Sequence, residues 1–205
     1  MIAIIDYGVG NLFSLKSSFA AIGEDAAVIS DPDALKDADR LLLPGVGAFE
    51  DAAEKLRKSG LDQALLEGVN QGKPLLGICL GMQMLFEKSY EYGEHSGLGL
   101  LAGEIRPIRD VIPAHYKIPH IGWNALKFER PDCPLWKYIR EGDYVYFVHS
   151  YYAVPSGDCL SASAEYGADL TAAVWKDNVF GCQFHPEKSG AVGLSILRAF
   201  CEVPV

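Results

Sequence analysis

The chain has 205 residues, enough to bury a sizeable core and in the range of one domain, and its 49% hydrophobic and 22% charged residues are ordinary for a globular protein. Its 18 Lys and Arg face 27 Asp and Glu, and the resulting net charge of −9 argues against an extended nucleic-acid footprint and against an anionic membrane surface. The longest apolar stretch, Pro74–Phe86, is broken by Gly77, Gly81 and Gln83 and is too short to span a bilayer, while the MIAII start reaches Asp6 without the basic flank or cleavage site of a secretory signal.

In chain order, Ile2–Asp6 reads as a buried strand, and Leu12, Leu15, Phe19 and Ile22 follow at helical spacing until Gly23. Ala26–Ser30 and Arg40–Leu43 are the next two strands, closed by Asp31-Pro32 and Pro44-Gly45. Glu50 to Gln71 carries helical patterning with a break expected near Gly60; Pro74–Ile78 is a fourth strand, and Leu80–Glu87 resumes helical spacing. The second half changes character. Tyr144–Val148, Leu160–Glu165, Thr171–Lys176 and Val179–Phe184 are strand-like with little helix between them, which predicts antiparallel strands added to the same sheet or forming a smaller one. A last helix runs from about Gly190 to Cys201. Together these patterns predict one three-layer α/β domain, with a mixed, mostly parallel central sheet and helices on both faces.

Five cysteines, at 79, 133, 159, 182 and 201, form no C-x-x-C pair, so neither a zinc knuckle nor a thioredoxin-type site is expected. An odd number without a secretory signal predicts reduced thiols and a cytoplasmic location. Cys79 is placed unlike the others. It joins a predicted strand to a predicted helix inside Gly77-Ile-Cys-Leu-Gly81, the thiol counterpart of a nucleophile elbow, and a helix N-terminus favours thiolate. A buried structural cysteine at a strand end would give the same local pattern.

A thiolate nucleophile needs a base and a group that orients it. His185, after the last strand, is followed by Pro186 and then Glu187, whose carboxylate is in reach of the imidazole. His149 is the rival base, but no carboxylate is near it in sequence, and it reads as a structural or pocket residue. For an oxyanion, the glycines of Leu43-Pro-Gly-Val-Gly-Ala-Phe49 would let backbone N–H groups approach a ligand, and the Leu80 amide is the natural second donor. Gly8-Val-Gly10 and Gly45-Val-Gly47 fail the dinucleotide fingerprint, because the sixth positions are Phe13 and Glu50.

With Gly77-Ile-Cys-Leu-Gly-Met-Gln83, His185-Pro-Glu187, Pro44-Gly-Val-Gly47 and Tyr146-Phe-Val-His-Ser150, the chain resembles the class I, triad-type glutamine amidotransferases. Asp6-Tyr-Gly-Val-Gly-Asn11, Pro119-His-Ile-Gly-Trp-Asn124 and His185-Pro-Glu-Lys-Ser189 narrow the resemblance to the glutaminase subunits of imidazole glycerol phosphate synthases, with Ile121 standing where relatives often carry Met. The resemblance implies Cys79 as nucleophile, His185 as general acid and base, and Glu187 as its orienting carboxylate. Gln83, Glu91, Ser150 and Tyr151 would hold the glutamine, with Gly47 alongside. The Val46 peptide would complete the oxyanion hole. Asn11, Pro119, His120, Trp123, Lys188 and one of Tyr144 or Tyr146 would lie at the contact with a cyclase subunit that receives ammonia. No metal or cofactor is implied. Three rival readings predict other behaviour: a glutaminase of another synthase, such as the vitamin B6 or anthranilate systems; a cysteine peptidase; and a non-catalytic subunit.

Overall fold

The computed structural model describes residues 1–205. Its first half runs β1 (Ile2–Ile5), α1 (Leu12–Ala21), β2 (Ala26–Ile29), β3 (Arg40–Leu43), α2 (Phe49–Lys58), α3 (Leu61–Asn70), β4 (Leu75–Ile78) and α4 (Leu80–Met84). There follow β5 (Phe86–Ser89), β6 (His95–Ser96), β7 (Leu101–Pro107), β8 (His120–Ala125), β9 (Lys127–Phe128), β10 (Tyr144–His149) and β11 (Tyr151–Pro155). Last come β12 (Leu160–Glu165), β13 (Asp169–Lys176), β14 (Val179–Cys182) and α5 (Gly190–Cys201).

Successive side chains of a strand point to opposite faces, and a parallel sheet covered by helices is apolar on both. Ile2, Ile4, Leu42, Leu76 and Ile78 share one core with Leu15 and Phe19 of α1 and with Ile196, Leu197 and Phe200 of α5. Ala3, Ile5, Leu41, Leu43 and Leu75 share the other with Phe49 and Leu56 of α2 and Leu61 and Leu65 of α3. The eight strands of this sheet lie in the order β2-β1-β3-β4-β14-β13-β12-β9, parallel from β2 to β14 and antiparallel beyond. The mixed sheet with helices on both faces is the one the sequence pattern predicts. The break near Gly60 is also present: its φ is +73°, and α2 ends and α3 begins around it.

Elsewhere the structure differs from the pattern. The helix expected over Leu80–Glu87 stops at Met84, and Phe86–Ser89 becomes β5, paired parallel with β7 and antiparallel with β6. Phe86 and Ser89 are buried there while Glu87 points outward. The last predicted strand ends at Cys182, leaving Gln183 and Phe184 buried but outside the ladder. Two smaller sheets, β10-β8 and β11-β7-β5-β6, are not legible in their strands' apolar pattern. In β8 the pattern is inverted: His120 is buried, while Ile121 and Trp123 are exposed. No helix is long and apolar enough to cross a membrane.

A buried imidazole pair ties β8 to β10. His120 and His149 are register partners, with Nδ1 of the first 3.0 Å from Nε2 of the second. His149 Nδ1 lies 2.9 Å from the Tyr151 carbonyl, and His120 Nε2 lies 2.8 Å from Asn124 Oδ1. Asn124 Nδ2 donates to the Glu165 carbonyl at 2.7 Å. His120 is stacked between Phe147 and Tyr166, with ring centroids 5.0 and 4.0 Å away. The Tyr151 carbonyl only accepts, so His149 Nδ1 carries the proton, and neutral His149 then accepts at Nε2 from His120. That leaves neutral His120 facing the Asn124 oxygen with no proton between them.

Burial drives His149 down to about 3, with the His120 and His185 charges adding to it, and burial also lowers His120 against the opposing Asn124 hydrogen bond. An unfolded histidine titrates near pH 6.5. The unfolded chain therefore takes up a proton that folded His149 refuses. Its contribution to stability is full above about pH 6.5 and is lost as pH falls toward 3, at up to about 1.4 kcal/mol per pH unit. Urea unfolding between pH 7 and pH 4 should show a shallower loss in His149→Gln than in the parent chain. Equal slopes would contradict a neutral buried His149.

Candidate active site

β4 and β14 are parallel neighbours, with Ile78 opposite Cys182, so Cys79 and His185 leave the sheet at the same edge. This is the carboxyl edge, where open α/β sheets place their ligand crevices. Cys79 sits between β4 and α4 at φ 54° and ψ −110°, a conformation a non-glycine residue holds only at a cost of order 1–3 kcal/mol. Its amide donates to the Cys182 carbonyl at 2.7 Å, which anchors the turn to β14. The flanking glycines are required by contact. A Cβ on Gly81 would stand 1.9 Å from the Leu43 carbonyl oxygen, and one on Gly77 would stand 2.8 Å from the Gly81 carbonyl. A Cβ on Gly45 would meet the Gly81 nitrogen at 2.7 Å. The loop after β3 thus packs backbone against backbone on the elbow, which puts Val46 and Gly47 beside the sulfur. Tyr7, buried in the same place, donates its hydroxyl to the Pro44 carbonyl at 2.6 Å, and burial pushes that hydroxyl's pKa well up.

His185 is buried, and its Nδ1 is 2.8 Å from Glu187 Oε1. Its backbone is fixed by the amide donating to the Tyr146 carbonyl at 2.9 Å and by Ser189 Oγ donating to its carbonyl at 2.6 Å. With Nδ1 held by Glu187, the second ring nitrogen is left for Cys79, which lines the same cleft. Burial alone would lower this imidazole, but the Cys79 and Glu187 side chains beside it raise it to about 9. His149 cannot compete for the role of base, because both its nitrogens are engaged in the chain through Tyr151 and His120.

Around these groups lies a cleft of about 410 Å³. Its wall holds Cys79 and His185 together with Val46, Gly47, Leu80, Gln83, Glu91, Ser150 and Tyr151. Pro119 and Lys188, expected at a partner contact, line the same cleft, while Glu187 lies behind His185. Glu91 caps α2: its Oε2 accepts the Phe49 amide at 2.7 Å, and burial raises its carboxyl above the usual range against that hydrogen bond. Gln83 Nε2 donates to the Tyr151 carbonyl and to Gln183 Oε1, each at 3.0 Å.

Among the residues expected at a partner contact, His120 needs correction. Its side chain is sandwiched and only 1% exposed, so it supports β8 from beneath. Trp123 and Ile121 stand exposed on the opposite face. Tyr146 lies between Trp123, at 6.0 Å edge to face, and Lys188, whose Nζ is 6.0 Å from the ring, so Tyr146 rather than Tyr144 belongs to this group. Asn11 precedes α1 and makes no side-chain cap. Tyr7 and Gln183 were not singled out from sequence. For Gln183 the signal available was an amide inside the apolar run Val179–Phe184, two residues before His185.

The family model described as glutamine amidotransferase class-I matches residues 3–202. Imidazole glycerol phosphate synthase subunit HisH of Wolinella succinogenes is 50% identical over 206 residues, covering 99% of this chain and 100% of the relative. The subunit of the same name from Caldanaerobacter subterraneus subsp. tengcongensis is 50% identical over 204 residues, covering 99% and 98%. Among solved structures, a crystal structure of a glutamine amidotransferase superposes with a TM-score of 0.76 at 20% identity, covering 98% of each chain. PurLQS from Thermotoga maritima superposes with a TM-score of 0.75 at 20% identity, covering 98% of this chain and 96% of that one. The chain belongs to the class-I glutamine amidotransferase family and, within it, groups with the HisH subunits of imidazole glycerol phosphate synthase.

Proposed function

We propose that this chain, acting over residues 1–205 as one glutamine amidotransferase domain in the cytoplasm, hydrolyses L-glutamine and delivers the ammonia to the cyclase subunit of imidazole glycerol phosphate synthase. One observation carries the reading: a cysteine in a strained strand-to-helix turn faces a buried histidine that a buried glutamate orients.

The Cys79 sulfur attacks the side-chain carbonyl carbon of glutamine, and the C=O electrons move to oxygen. The Leu80 amide, at the start of α4 where helical N–H groups lack partners, and the Val46–Gly47 backbone, which lines the same cleft, would receive that oxyanion. Collapse breaks the C–N bond, and the His185 imidazolium protonates the departing nitrogen, releasing ammonia. His185 then takes a proton from water, the hydroxide attacks the thioester, and glutamate leaves as Cys79 regains its electron pair. Glu187 holds the ring and stabilises its charged form. Both N–H groups of Gln83 are used within the protein, so its Oε1 is left to accept from the substrate's ammonium, next to Glu91, Ser150 and Tyr151. Asn11, Ile121, Trp123, Tyr146 and Lys188 would meet the cyclase, with Pro119 at the cleft's edge and His120 supporting the strand. The cyclase joins the nitrogen to its nucleotide substrate, giving imidazole glycerol phosphate and an aminoimidazole carboxamide nucleotide for histidine biosynthesis.

Glutamate formation should appear when the chain is combined with the cyclase subunit and its nucleotide ligand, and should fall at least about a thousandfold in Cys79→Ala. Folded complex that makes no glutamate would favour the non-catalytic reading. Cleavage of peptides without the cyclase would favour a peptidase, and stable pairing only with a different synthase would reassign the pathway.

The raised His185 fixes a sign. Its charged form contributes stability fully below about pH 6.5 and loses it as pH rises through about 9. Removing the Glu187 charge should lower that limit. Glu187→Gln should therefore bring the alkaline fall of kcat/KM to lower pH and reduce its plateau by roughly tenfold or more. A profile that keeps its alkaline limb in place would rule out Glu187 as the orienting charge.

Trp123 is 51% exposed beside Tyr146. In titration calorimetry, Trp123→Ala should weaken cyclase binding about tenfold to a hundredfold, as expected when an aromatic anchor is lost. Unchanged affinity would move the contact elsewhere.

A further inference from the structure

α4 has only five residues, so few aligned peptide dipoles stand behind the sulfur. Besides His185, two groups reach the sulfur, and they act in opposite directions. The Val148 carbonyl, 3.9 Å away, only accepts, so it holds the proton on a thiol. Gln183 Nε2, 3.7 Å away, only donates, so it favours the thiolate.

The orientation of the Gln183 amide follows from its second partner. Gln83 Nε2 donates to Gln183 Oε1 at 3.0 Å. Rotating the Gln183 amide by a half turn would set two NH₂ groups against each other and aim its oxygen at the sulfur. The backbone is pinned as well, because the Gln183 amide N–H donates to the Ala172 carbonyl at 2.8 Å. Gln183 is fully buried, and a buried amide without partners is costly, so its two side-chain contacts hold it in one place.

We propose that Gln183 is a further member of the catalytic group, whose side-chain amide donates to the Cys79 thiolate and is itself held in the donating orientation by Gln83. The inference deepens the glutaminase reading and rests on Cys79 being the nucleophile. It also gives Gln83 a second task. Gln83 lines the substrate cleft on one side and sets the amide against the sulfur on the other.

The test is the pH dependence of Cys79 alkylation by iodoacetamide in the full-length chain, read by mass spectrometry with the other four cysteines as internal references. In Gln183→Met the alkylation rate at pH 7 should fall about tenfold, the loss of one hydrogen bond to a charged group, and the midpoint of the profile should move to higher pH. Gln83→Met, which frees the amide to rotate, should give a smaller shift in the same direction. In complex with the cyclase, kcat of Gln183→Met should fall while KM changes little. A Gln183→Met chain that melts like the parent and keeps its alkylation profile would overturn the proposal.

The parent chain supplies a readout that no folding defect can confuse. The Gln183 side-chain ¹⁵NH₂ resonances should move as Cys79 ionises and again when it is alkylated, and resonances that stay still in both would equally overturn it. Alkylation needs no glutamine, so the two readings fail separately. Reactivity that follows Gln183 in a chain making no glutamate would retain the hydrogen bond and remove the glutaminase. Glutamate formation with alkylation indifferent to Gln183 would do the reverse.

Discussion

The site depends on a close approach of two backbones. The Leu43 carbonyl lies where a Cβ of residue 81 would be, and Gly45 meets the Gly81 nitrogen in the same way. Only glycine permits this contact, and the contact sets the distance between the loop after β3 and the turn at Cys79. The loop's Val46–Gly47 peptide, the Cys79 sulfur and the Leu80 amide are therefore brought to one place by main-chain packing, before any side chain is considered. Tyr7 secures the loop from below through the Pro44 carbonyl. Side-chain rotamers can relax around an error of a few tenths of an ångström, whereas packed main chain cannot, and catalytic geometry demands that accuracy.

Strand order does the remaining positioning. β4 and β14 are distant in sequence but adjacent and parallel in the sheet, so the residues following them emerge side by side. The antiparallel pair β10 and β8 then closes the cleft from the other side. Only Ser150 separates β10 from β11, which belongs to a different sheet, and this short connection puts His149, Ser150 and Tyr151 together on the wall.

The parts of the molecule visible in sequence are those whose residues carry their own reason. The parallel half is legible because its strands are apolar on both faces and its helices are amphipathic. The elbow is legible because its glycine-flanked cysteine between a strand and a helix has a counterpart in His185-Pro-Glu187, where the partner carboxylate lies two residues from the histidine. β7, β8 and β11 are less legible because each pairs with a strand distant in sequence, β7 with β11 and β8 with β10, and β5 because its first residues keep the helical spacing that precedes them. β8 hides further by burying its histidine and exposing its tryptophan. The five-residue α4 shows a tertiary constraint overriding a local one: Leu80–Glu87 is helical in spacing, but β5 gains its ladder by leaving the helix. Gln183 escaped notice because its meaning lies in Gln83 and Cys79, 100 and 104 residues away.

These buried polar groups form one connected system. From His120, which faces Asn124 on β8, the hydrogen bonds run through His149 to the Tyr151 carbonyl, and from that carbonyl through Gln83 and Gln183 to the Cys79 sulfur. The Tyr151 carbonyl accepts from both sides, which uses the capacity of its two lone pairs. Isolated in an apolar interior, each of these groups would be costly. Joined, they leave Gln83 Oε1 and the sulfur to face the cleft, which the Glu91 carboxylate also lines. The same chain is one proton short at its far end, between His120 and Asn124, on the strand whose other face exposes Trp123. The least satisfied link of the network is thus the one nearest the proposed partner surface, and the links that hold the sulfur are satisfied from within the protein.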